Sequence, residues 1–283
     1  LTLLLVVFAI AGAIVVAASI RATGLADVIA DRTRMGEAMA GGIILGGATS
    51  LSGVVVSITA AAGGDASLAV SNAVGGIAAQ TLFLAIADIL HKRANLEHAA
   101  AEPANLFQAV MLIILLSLPL SAIAGPEIAY FGVHPVSVAL FLTYLYGLRV
   151  SARVSEEPMW RPVMTSETRT DEPEDEDEAG RSATGPALRF AALVAVMGLG
   201  GWVISQVGGT FIERFGLRSS LVGSLITAVV TSLPEFVTTI VAVRRGALQL
   251  AVGGIIGGNT FDTLFLLAGD VAYRDGSLYH AIE

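Results

Sequence analysis

The chain has 283 residues, of which 54% are hydrophobic and only 14% charged, whereas a soluble domain of this length carries about 25% charged residues. It contains no cysteine, which excludes disulfides, thiolate nucleophiles and cysteine-based metal sites, and its four scattered histidines form no ligand pattern. The net charge of −8 is concentrated in residues 151–186, which hold ten acidic and four basic residues and leave 14 acidic and 12 basic for the remainder, so nucleic-acid binding has no support.

Apolar runs of about 20 residues recur, each long enough to cross about 30 Å of hydrocarbon. They predict an all-α polytopic membrane protein with eight spans, at about 1–20, 36–62, 66–90, 104–124, 127–150, 187–207, 219–243 and 247–271. The first run lacks a basic leader and reads as a membrane helix rather than a signal peptide. Because Leu1 is not Met, the natural chain is expected to begin earlier. Thirty-one glycines and many alanines suit close helix packing in lipid.

The connections at 21–35, 91–103 and 244–246 carry Arg21, Arg32, Arg34, Lys92, Arg93, Arg244 and Arg245, and Arg149 and Arg189 flank 151–186. The opposite side has Arg214, Arg218 and Arg274. The basic excess assigns the first side to the cytoplasm and the N-terminus to the outside. Segment 151–186, with Glu167 and DEPEDEDEAG at 171–180, reads as a disordered acidic cytosolic loop joining an N-terminal membrane half, 1–150, to a C-terminal one, 187–283.

An internal repeat lies across the two halves. Residues 41–88 align without a gap on 223–270, with 19 identities in 48 positions. Thr49-Ser50-Leu51 matches Thr231-Ser232-Leu233, and Thr81-Leu82-Phe83-Leu84 matches Thr263-Leu264-Phe265-Leu266. Equivalent helices are an odd number of crossings apart, so the repeats are inverted. Inverted repeats are the mark of secondary transporters, with the ion site near the midplane where the repeats meet.

Two carboxylates lie at mid-span, Glu235 and Asp262. An ionisable residue at that depth costs at least about 2.5 kcal/mol and signals function. Pro234 removes a backbone donor, so the Val230 carbonyl loses its helical partner. Free carbonyls at depth are tolerated where they line a polar cavity. Thr231 and Ser232 add hydroxyls, and Asn259 shares a helix face with Asp262. Repeat one supplies Thr49, Ser50, Asn72 and Gln80, with Gln80 opposite Asp262 by symmetry. The carbonyl, hydroxyl and carboxylate oxygens of the stretch around Pro234 are hard donors, suited to Na⁺, Ca²⁺ or H⁺.

TSLPE at 231–235, followed by GGIIGGNTFD at 253–262, resembles the alpha-repeats of the calcium/cation antiporter superfamily, the sodium/calcium exchangers and their relatives. The resemblance covers both repeats, and is degraded in repeat one, where TSLSG at 49–53 precedes SNAVGGIAAQ at 71–80. It implies a ten-helix inverted-repeat fold and Ca²⁺ exchange against Na⁺ or H⁺ by alternating access. It also implies that Glu235 and Asp262 ligate the ion, with Thr231, Ser232, Thr49, Ser50 and Gln80 contributing. The family's first-repeat glutamate falls on Gly53, and its serines fall on Gly76 and Gly258.

Two carboxylates balance one Ca²⁺, two Na⁺ or two H⁺. The expectation is therefore an antiporter with altered stoichiometry or ion choice, unless water enters beside Gly53. A non-transporting cation sensor or scaffold on the same fold is the alternative. An enzyme is not expected, since LAGD at 267–270 lacks the first glycine of a protease-type GxGD. No cofactor is expected, the ions being cargo, and the partners are the lipid bilayer and small cations. The expected location is a prokaryotic inner membrane. RANLEHA at 93–99 resembles RDGSLYHAI at 274–282, so symmetry predicts two further helices beyond Glu283.

Overall fold

The computed structural model describes residues 1–33, 46–91, 95–156, 182–245 and 248–282. The start of the expected second span, Arg34, Lys92, Arg93, Glu167 and the acidic run at 171–180 lie outside the described residues. Among those described, the chain is helical throughout, apart from one isolated bridge between Tyr130 and Val133.

Repeat one begins with α1 (Thr2–Thr33), then α2 (Gly46–Thr49), α3 (Leu51–Ala62), α4 (Ala66–Leu90) and the short α5 (Leu96–Ala99). Two helices follow, α6 (Pro103–Ala124) and α7 (Pro135–Glu156). Repeat two holds α8 (Thr184–Phe215), α9 (Ser219–Thr231), α10 (Leu233–Arg245), α11 (Leu248–Asp262) and α12 (Leu264–Ala272). A 3₁₀ turn, Leu278–His280, closes the described chain. Six helices are long and apolar enough to cross a bilayer among the described residues, and the bent pair α9–α10 makes a seventh. The counterpart of that pair, α2–α3, begins where description begins.

Three boundaries differ from the sequence expectation. Helix α7 starts at Pro135 rather than near 127 because residues 126–134 turn first. Phe131 and Gly132 have positive φ, 55° and 80°, and Pro135 starts the helix, where its missing N–H is of no consequence. Helices α1 and α8 run to 32 residues each, well past 20 and 207. The α8 terminus is set by Gly216, whose left-handed φ of 62° lets its N–H cap the Ile212 carbonyl.

The repeat is longer than its sequence identity indicates. Gln80 and Asp262 are 182 residues apart. The same offset carries Thr2–Thr33 onto Thr184–Phe215, and Ala66–Leu90 onto the span formed by α11 and α12. It also carries a capping device. Asp88 Oδ1 accepts from Leu96 N at 2.7 Å, and Asp270 Oδ1 accepts from Leu278 N at 3.2 Å. Each unit thus spans about 2–99 or 184–281, with α6 and α7 between them.

Packing follows small residues, as expected in lipid. Val15, Val56 and Ile204 bury one another where α1, α3 and α8 meet. Gly201 of α8 lies directly against the backbone of Ser52, where any Cβ would collide. Gly75 of α4 does the same for α9, a Cβ there falling 2.5 Å from Ser224 Cα. Large apolar side chains such as Ile113, Leu120, Leu142 and Leu199 point outward. A water-soluble surface does not tolerate such a display, and a lipid-facing one requires it.

Candidate cation site

Both repeats break at the same residue. Ser50 separates α2 from α3, and Ser232 separates α9 from α10, the latter pair being bent by 43°. Ser50 has φ −75° and ψ −7°, and Ser232 has φ −93° and ψ 0°. The proline is therefore not what makes the break: its equivalent in repeat one is Ser52, and the helix breaks there too. What recurs is the Thr-Ser pair. Hydroxyls of this kind bond back to helix carbonyls and compete with the regular ladder. Thr231 Oγ1 does so, donating to Thr227 O at 3.0 Å and Ala228 O at 3.2 Å. Ser52 uses its own hydroxyl across the interface, donating to the Thr231 carbonyl at 3.4 Å. So the carbonyl freed at the break and tied to the other repeat is that of Thr231.

The predicted site residues come together around these breaks. Asp262 is 1% exposed and Glu235 6%, and Thr49, Ser50, Gln80, Thr231 and Ser232 are buried with them. Gln80 Nε2 donates to Asp262 Oδ2 at 2.6 Å. These are symmetry-equivalent positions, so the pseudo-two-fold axis passes between them. Ser232 Oγ and Asp262 Oδ2 lie 3.5 Å and 4.0 Å from where a Cβ on Gly76 would stand, so both reach the same point on α4. Thr49 and Ser50 stand beside the Glu235 carboxylate, Ser50 also beside Asp262, and the two carboxylates feel one another.

Several of these oxygens have no partner. Glu235 Oε1 and Oε2, Asp262 Oδ1, Gln80 Oε1 and Ser50 Oγ are buried and make no hydrogen bond of good geometry, even though the Thr49 and Ser50 hydroxyls stand close to the carboxylates. Asn259 Oδ1, one turn before Asp262 on α11, is in the same condition, while its Nδ2 donates to Thr81 Oγ1 at 3.2 Å. Each unsatisfied buried polar group costs about 1–3 kcal/mol, and charged groups more. Six together around a two-carboxylate centre make this a candidate site for a hard cation. No group of three or more His, Cys, Asp or Glu able to hold a metal occurs among the described residues, so amides and hydroxyls must complete any shell.

Two further features stand out beside the site, the second of them against the sequence expectation. Asn72 is a brace between the repeats. Its Nδ2 donates to Gly53 O at 3.1 Å and Ser57 Oγ at 3.0 Å, and its Oδ1 accepts from Thr227 at 2.8 Å. The space beside Gly53 is not open to water. The ring of Phe265 fills it, with Cε2 only 2.6 Å from where a Cβ would stand. Phe265 carries no polar atom, and its repeat equivalent is Phe83, so nothing in the sequence marked its place beside Gly53. Tyr144 of α7 was likewise missed; its ring packs edge-on against Phe261, next to Asp262.

The family described as sodium/calcium exchanger protein matches residues 3–153 and 185–275. The chain belongs to this family. Within it, the sodium/calcium exchanger MaX1 of Methanosarcina acetivorans is 41% identical over 59 residues, which is 21% of this chain and 17% of that one. The human sodium/potassium/calcium exchanger 2 is 34% identical over 61 residues, 22% of this chain and 9% of its own. The matched stretch thus spans less than a fifth of either relative. Solved structures agree on the fold over nearly the whole chain. The sodium-calcium exchanger NCX_Mj superposes with a TM-score of 0.60 at 16% identity, covering 97% of this chain and 83% of its own. The H⁺/Ca²⁺ exchanger CAX gives 0.63 at 14% identity, covering 95% and 67%. The chain is accordingly an integral membrane protein with the inverted-repeat exchanger fold, and its family is one of transporters rather than enzymes.

Proposed function

We propose that the protein is a secondary active cation antiporter, moving Ca²⁺ or Na⁺ against Na⁺ or H⁺ by alternating access through the site between its repeats. The observation that carries this reading is the group of partnerless buried oxygens on Glu235, Asp262, Gln80, Asn259 and Ser50. A scaffold would not keep three carboxylate oxygens without a hydrogen bond at such depth. Their composition, oxygen without sulfur or imidazole, suits hard ions.

The charge count sets the ratio. Glu235 and Asp262 carry −2 when ionised, which one Ca²⁺, two Na⁺ or two H⁺ neutralises. Ligating carboxylates must be deprotonated, so Ca²⁺ and protons compete for the same oxygens. That competition is itself a coupling mechanism. The inverted repeats supply the motion: two similar units can exchange conformations about a fixed site, opening it first to one side and then to the other. The N-terminus faces outward and the loop 151–186 faces the cytoplasm of a prokaryotic inner membrane, as the distribution of arginine and lysine supports.

Proteoliposomes with imposed Na⁺, Ca²⁺ and pH gradients test the reading. Cation flux that is lost in Glu235→Gln and Asp262→Asn supports it. Flux indifferent to both substitutions removes it. Ca²⁺-dependent thermal stabilisation without any flux would favour a cation sensor on the same fold.

A further inference from the structure

Gly53 is the internal equivalent of Glu235, so the repeat symmetry marks a place for a third carboxylate on α3. That place is already taken. A Cβ built on Gly53 would stand 2.6 Å from Phe265 Cε2, 3.2 Å from Cζ and 3.6 Å from Cδ2. Carbon atoms settle at about 3.5–4.0 Å, so even one methyl group at 53 must displace the ring.

The ring has little freedom to move. Phe265 is 3% exposed and sits in a buried cluster with Ala73 and Leu266, against which Val54 packs. Phe261 meets it edge to face, with centroids 6.5 Å apart. Its symmetry mate behaves differently. Phe83 lies against Phe236, centroids 4.7 Å apart, next to a glutamate rather than in place of one.

Taking the cation-exchange reading as given, we propose that Phe265 fills the volume of the absent first-repeat carboxylate and holds the site at two negative charges. A glycine alone would leave room for water to enlarge the coordination shell, or for a third monovalent ion. The ring replaces that room with an apolar wall. Gly53 and Phe265 therefore work as a pair: a glutamate at 53 cannot enter unless the ring leaves. One divalent cation then exchanges against two monovalent ones, with no net charge moved.

Two measurements on the full chain test this. The first is a thermal-unfolding cycle in detergent with Gly53→Ala and Phe265→Ala. Gly53→Ala should lower Tm by several degrees in the native background and have little further effect beside Phe265→Ala. Equal losses in both backgrounds would overturn the packing claim. The second is Ca²⁺ uptake against a Na⁺ gradient in proteoliposomes under set membrane potentials. Gly53→Glu combined with Phe265→Ala should shift the exchange from two to three Na⁺ per Ca²⁺ and make uptake voltage-sensitive. Phe265→Ala alone should stay at two. A double variant that binds Ca²⁺ and still exchanges two for one would overturn the proposal. If native flux proves indifferent to Glu235→Gln, the exchange reading fails instead, and the thermal cycle still judges the Gly53–Phe265 contact.

Discussion

The two repeats share a backbone and differ in charge. Both begin with a 32-residue helix, break at a Thr-Ser pair, and end on an aspartate that caps the following turn. Repeat two adds Pro234, Glu235 and Asp262 to that frame, where repeat one has Ser52, Gly53 and Gln80. The comparison separates two layers of design. The broken helix recurs at the Thr-Ser pair of both repeats, and it persists without the proline. The ionic chemistry is placed on top of it and can be withdrawn from one half without collapsing the other. Asp270 and Asp262 make the same distinction within one helix span. Asp270 is fully buried yet accepts from His134 N, Ser137 Oγ and Leu278 N, whereas Asp262 keeps one oxygen bare.

The largest effect is expected from removing the charge of repeat two. Asp262→Asn or Glu235→Gln leaves one carboxylate. Losing an outer-shell partner alone costs about 10–100-fold in metal affinity, so losing a charged ligand should exceed that. Isothermal titration of Ca²⁺ on purified protein measures it. Next is the contact on the symmetry axis. Gln80→Leu leaves Asp262 Oδ2 without its donor, and an affinity drop of about 10–100-fold is expected by the same measurement. A smaller change would mean that the Gln80 contact does not tune the site.

Asp270→Ala should act on stability and not on ions. It orphans the backbone N–H groups of His134 and Leu278, each costing about 1–3 kcal/mol if left unpaired, while Ser137 keeps its bond with the Tyr279 hydroxyl. Thermal unfolding should show the loss, with Ca²⁺ affinity unchanged in the protein that remains folded. The smallest effect is expected from Pro234→Ala. Because Ser50 breaks its helix with serine at the equivalent of the proline, the break at Ser232 should survive, with Ca²⁺ binding altered by less than about 1 kcal/mol. A large loss of binding in Pro234→Ala would show that proline, and not the Thr-Ser pair, sets the geometry of repeat two.

Much of this was legible in the sequence because polar atoms in lipid are costly and therefore few. Glu235, Asp262 and the Thr-Ser pairs stand out against apolar runs, and the gap-free alignment pairs Gln80 with Asp262, which meet in the structure. What stayed hidden was carried by apolar residues. Helices α1 and α8 coincide in length and position yet share only five identities in 32 residues, since lipid-facing and packing surfaces accept many apolar alternatives. Phe265 was invisible for the same reason: a phenylalanine in a membrane helix is unremarkable until it is found lying on Gly53. The proline misled in the other direction, being a strong local signal for a break that its partner repeat makes without one.

On the proposed reading, two carboxylates drawn from one repeat and completed by neutral oxygens from the other set the exchange ratio. Ca²⁺ uptake into proteoliposomes, driven by an outward Na⁺ or H⁺ gradient and recorded across a range of clamped membrane potentials, tests it most directly. Uptake should vanish in Asp262→Asn and, in the native protein, reverse at two monovalent ions per Ca²⁺ independently of voltage. Native uptake that carries current and reverses at three per Ca²⁺ would contradict it.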